Sequence, residues 1–183
     1  MADKAAAIFE KVDGKVPQPL GGGCPSGSIR TDGRPWDQVA GAYAFVDELA
    51  ALRGDVKGAG NRERFDYWLN TFKYQQSLAK IQCMLGAFNA GIKTGPNTAL
   101  PLYKQLLAEY GQTVRLRMNT VTTHGGMATI VNLLQHAKFR PTAIDSPAQR
   151  LAAALGRPLT AEETPSKTYR GPGRIIVPTV RTS

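Results

Sequence analysis

Between Asn61 and Ile92 the chain carries two apolar stripes at helical spacing, and few folds accommodate such a segment. One stripe holds Phe65, Trp68, Leu69, Phe72, Ala79 and Cys83. The other holds Tyr67, Tyr74, Leu78, Ile81, Leu85, Phe88 and Ile92. A helix striped on two sides must be contacted from two sides, which makes it the central element of its domain. Asn61 is the expected N-cap, its side chain accepting from an early backbone N–H. A helix over 61–92 would run about 48 Å, too long to stand without neighbours.

The rest of the sequence supplies those neighbours. Ala2 to Val12 predicts a short helix with Ile8, Phe9 and Val12 on one side, stopped by Gly14, Pro17 and Pro19. Trp36, Val39, Ala40, Tyr43, Val46, Leu49 and Ala50 recur at spacings of three and four, predicting one helix opened by Pro35. After Gly95-Pro96-Asn97, Thr98 is the expected cap of a helix from Leu100 to Val121. Met127 to Lys138 predicts a further helix, and Ser146-Pro147-Ala148-Gln149 reads as a capping box opening another that Gly156 ends. The fold expected is therefore mainly α, about five helices bundled around 61–92.

Two segments resist helix. Gly14 to Arg34 is a run of turn signals, so residues 1–34 read as a short helix and an irregular loop ahead of a core at 35–156. Residues 157–183 read as an extended basic tail. Ile175, Ile176 and Val177 favour a strand there, and Pro178 restricts it to an edge.

Charge is the most informative part of the composition. The net charge is +9, and 138–183 alone holds 8 basic and 3 acidic residues. Such a tail fits acidic polysaccharide, nucleic acid or an acidic protein face, with Arg170, Arg174 and Arg181 as the binding candidates. No stretch is long and apolar enough for a membrane span, and the opening residues lack the pattern of a secretory leader, which predicts an intracellular chain. Two cysteines, Cys24 and Cys83, are too few for a disulfide framework and predict one exposed and one buried thiol.

Candidate chemistry is sparse. Gly21-Gly22-Gly23-Cys24-Pro25-Ser26-Gly27-Ser28 lacks the ending and the strand–helix setting of a phosphate loop, so it reads as a flexible loop that offers Cys24 as a nucleophile candidate. His124, at a helix C-terminus, fits either a favourable partner of the helix dipole or a catalytic base. Asp66 has two readings: an acid buried among Phe65, Tyr67 and Trp68, with its pKa raised, or a first-turn acid favoured by the helix dipole. The aromatic group around Trp68 reads either as core packing, which its helical spacing favours, or as a sugar- or base-stacking platform. No metal or cofactor is indicated.

The stretch Arg64-Phe65-Asp66-Tyr67-Trp68-Leu69-Asn70-Thr71-Phe72-Lys73-Tyr74 resembles a helical region downstream of the catalytic barrel in large carbohydrate-active hydrolases. Asn119-Thr120-Val121-Thr122-Thr123-His124-Gly125-Gly126-Met127 and Gly171-Pro172-Gly173-Arg174-Ile175-Ile176-Val177 are similar to the later segments of that region in such enzymes. The resemblance covers roughly Tyr43 to Ser183 and carries no active-site residue, because the catalytic acids of such enzymes lie on barrel strands. It implies a non-catalytic helical module that supports a catalytic domain or contributes to an acidic-glycan surface, in a secreted parent enzyme. The alternative expectation is a basic accessory subunit of a larger complex, held to other protein subunits by its loop and tail.

Overall fold

The computed structural model describes residues 2–15, 29–121, 127, 130 and 146–163, and over these the chain is mainly helical, without a strand. The helices are α1 (Ala2–Val12), α2 (Trp36–Ala40), α3 (Ala44–Ala51), α4 (Ala59–Thr94), α5 (Pro96–Met118) and α6 (Pro147–Leu155). Met127 and Ile130 are also helical.

Helix α4 has 36 residues, about 54 Å at the ordinary rise, and both of its stripes are used. Leu69, Ala79 and Cys83 bury against Val39, Tyr43, Phe45, Val46 and Leu49 of the α2–α3 region and against Ile8 of α1. The other stripe meets α5. Ile81 and Leu85 pack on Leu106, Tyr110 and Val114. Phe88 packs on Ala99, Tyr103, Ala148 and Leu151. Leu78 and Tyr74 pack on Leu116. The pairing of α4 with α5 is the most extensive in the molecule.

That pair turns on one residue. Gly95 holds φ 149°, ψ 164°, a left-handed-side conformation that only glycine adopts without strain, and Pro96 opens α5 immediately after it. Two expected caps are thereby corrected. Gly95 and Pro96, not Thr98, start α5. Helix α4 starts at Ala59 rather than Asn61, whose amide instead donates to the Lys57 carbonyl at 3.1 Å. The single helix expected over 35–50 is also broken, by a 3-10 turn at Gly41–Tyr43 that re-aims Ala44–Ala51. Helix α6 starts as its sequence foretold: the Ser146 hydroxyl accepts from the Gln149 N–H at 3.1 Å.

Because α4 and α5 form a tight antiparallel hairpin, the 23 residues of α5 run alongside only the last 23 or so of α4. The last turn of α5 comes level with Phe72, so residues 59–71 of α4 extend past it. This offset leaves a groove at one end of the bundle.

Candidate functional site

The groove, of about 800 Å3, is lined by Arg62, Arg64, Asp66, Tyr67, Trp68 and Asn119, among others. Trp68 is 54% exposed. Core packing, which its spacing favoured, is not its role, because neither α5 nor α1 covers it. Its ring is nonetheless fixed: it stacks on Phe72 at 6.2 Å with 29° between planes and meets Tyr67 edge-on at 5.3 Å. Phe72 in turn contacts Phe45 and Phe9, which ties the exposed ring to the core. A ring held this way presents a face to solvent at little conformational cost on binding.

The cations beside it are positioned too. Arg62 Nε donates to the Val56 carbonyl at 3.0 Å, and Arg64 Nη2 donates to Asn61 Oδ1 at 2.8 Å. Each guanidinium keeps further donors for a ligand. Asp66 is not a first-turn acid. It lies two turns into α4 and forms a two-pronged ion pair with Arg53, whose Nε meets Oδ1 and whose Nη2 donates to Oδ2 at 2.8 Å. That hydrogen bond raises the Arg53 pKa. With both oxygens on a guanidinium, Asp66 acts as a fixed acceptor rather than a proton donor.

A second cleft, of about 350 Å3, opens midway along α4 and α5, where the sequence had singled out nothing. Its floor is a buried polar link. Ser77 Oγ donates to Glu109 Oε1 at 2.5 Å and stands 2.6 Å from Thr113 Oγ1. Lys80 Nζ donates to the other Glu109 oxygen at 2.7 Å. The signal was present as Ser77, Lys80, Glu109 and Thr113 at helical spacing on two helices, but only the hairpin register brings them opposite one another. Ser77 is no acyl-transfer nucleophile: the backbone N–H groups around it are spent inside α4, leaving no donors for an oxyanion.

Of the other expected residues, Cys24, His124, Arg170, Arg174 and Arg181 lie outside the described residues, as do the strand at 175–177 and most of the helix expected at 127–138. Cys83 is a buried free thiol, its pKa raised by burial and by nearby Asp32. Among the described residues no group of three or more His, Cys, Asp or Glu could hold a metal ion, and no helix is long and apolar enough to cross a membrane. In comparisons with known proteins, the chain matches no family model, no curated protein and no solved structure.

Proposed function

We propose that this chain is a non-catalytic helical module that binds an acidic glycan along the groove at the start of α4. The observation that carries the reading is Trp68, an aromatic face held open to solvent between Arg62 and Arg64. A sugar ring offers a C–H face that packs on an indole, and a uronate carboxylate matches the planar fork of a guanidinium. The pinned Asp66 carboxylate and the Asn119 amide add polar groups for sugar hydroxyls. The resemblance of Arg64–Tyr74 to a helical region of carbohydrate-active hydrolases points the same way, and the basic tail with Arg170, Arg174 and Arg181 would extend a surface of the same sign.

The test is calorimetric titration of the full chain with oligogalacturonate and, separately, with neutral galacto-oligosaccharide. The acidic ligand is expected to bind, to weaken with added salt as charge screening requires, and to lose about tenfold in affinity on Trp68→Ala. Equal binding of the neutral ligand, or an unchanged affinity in Trp68→Ala, would overturn the proposal.

A further inference from the structure

The second cleft has the chemistry of a binding pocket for one carboxylate-bearing sugar residue. Its wall is the Trp36 ring from α2, and its rim carries Lys73, Gln76, Lys80 and Gln112. Among the described residues no ion pair engages Lys73, so its ammonium faces the cleft with all its donors available. The one carboxylate in the cleft, Glu109, opposes an anionic ligand least where it is already satisfied. Here Ser77 takes Oε1 and Lys80 takes Oε2, so Glu109 serves to hold Lys80 in place, and the three charges leave a net positive site.

The two glutamines add the remaining element. Each amide offers both donors and an acceptor, which suits hydroxyl groups that do both, and they sit on different helices across the cleft. A cleft of about 350 Å3 is at the small end of ligand pockets, room for one or two sugar rings rather than a polymer. We infer that Lys73 and Lys80 receive a sugar carboxylate while its ring lies on Trp36 and its hydroxyls meet Gln76 and Gln112. The choice of sugar rests on the glycan reading above; the selection for a carboxylate rests on this cleft alone.

The molecule contains two tryptophans, Trp36 in this cleft and Trp68 in the groove, so their indole N–H signals report the two sites separately. Titration of the 15N-labelled full chain with monomeric galacturonate is expected to shift the Trp36 indole saturably, while galactose leaves it in place. Lys73→Met is expected to weaken that response about tenfold, the loss of one charge-assisted contact, without moving the Trp68 signal. A shift confined to Trp68 would overturn this inference and leave the groove proposal standing. A Trp36 shift of equal size with galactose, or one that survives Lys73→Met unchanged, would overturn carboxylate recognition here. Silence from both indoles would overturn both readings.

Discussion

The carbonyl oxygen of Asp32 overlaps the place where a Cβ on Gly86 would sit. The chain ahead of α2 therefore lies directly on the backbone of α4, and the Asp32 N–H donates to the Gln82 carbonyl at 3.0 Å. Arg34 locks the approach from the side: Nη2 donates to Asp32 Oδ2 at 2.6 Å and the Arg34 N–H to Oδ1 at 2.9 Å, which holds the Asp32 pKa below its ordinary value. In most helix interiors Gly→Ala gains about 0.5–1 kcal/mol. At residue 86 the sign should invert, with Gly86→Ala costing about 1–3 kcal/mol as the added methyl lifts the covering stretch of chain. Urea denaturation measures the cost. In a Cys24→Ser background, faster alkylation of the buried Cys83 thiol would show that Asp32 and Arg34 have moved off it. A stabilised Gly86→Ala protein would contradict the close approach.

The link between Ser77 and Glu109 joins α4 to α5 within their shared face. Ser77→Ala leaves Glu109 Oε1 without its donor in a site where Glu109 is mostly buried. The expected loss is about 1–3 kcal/mol by urea denaturation, the cost of orphaning a buried acceptor. Thr113→Val removes the other hydroxyl, 2.6 Å from Ser77 Oγ. The double variant should cost less than the sum of the two, because each single change leaves the other hydroxyl unpaired. Strict additivity would mean that the two hydroxyls act independently.

How much of this was legible depended on the distance over which the signal acts. The two stripes of α4 identified both of its partners, because helical periodicity reports burial on each face directly. Ser146 and Gly156 marked both ends of α6 for the same reason: a cap is decided within four residues. Trp68 shares its stripe with Leu69 and Phe72, so spacing placed it in the core. Its exposure follows from the unequal lengths of α4 and α5, which a stripe does not encode. Asp66 was legible as an acid among aromatics, but Arg53, thirteen residues away beyond a 3-10 turn, was not legible as its partner. The polar link beneath the second cleft depends on the hairpin register, set by Gly95 and Pro96, and no local pattern announces it.

Beyond α6 the chain folds back on itself through Glu163. Arg157 Nη1 and Nη2 donate to its two oxygens at 2.8 and 3.0 Å, and the Thr160 N–H donates to Oε2 at 2.9 Å. The guanidinium first, and the Thr160 N–H second, bring its pKa from 4.5 down to about 2. A folded value below the unfolded one means that the stabilisation is complete above pH 4.5 and fades as pH falls towards 2. The difference in melting temperature between the natural chain and Glu163→Gln should thus be constant from about pH 7 to about 5 and close below about pH 4. A gap that persists at about pH 2 would assign the effect to packing rather than to the carboxylate charge.

Trp68 and Leu69 are adjacent on α4 and should behave as opposites. Leu69 is 6% exposed within the cluster shared with Phe45 and Leu49, so Leu69→Ala is expected to cost about 2–5 kcal/mol through lost transfer energy and the cavity left behind. Trp68 gives up only its contacts with Phe72 and Tyr67, so Trp68→Ala is expected to cost about 0.5–1.5 kcal/mol, the usual worth of such aromatic pairs. Equilibrium urea unfolding of both variants, with unchanged denaturant slopes, makes the comparison direct. A large exposed indole that contributes little to folding is free to serve binding, and a Trp68→Ala variant that keeps its stability while losing oligogalacturonate would separate the two roles. Were Trp68→Ala instead to cost as much as Leu69→Ala, the ring would belong to the core, and the groove would lose the observation on which its function rests.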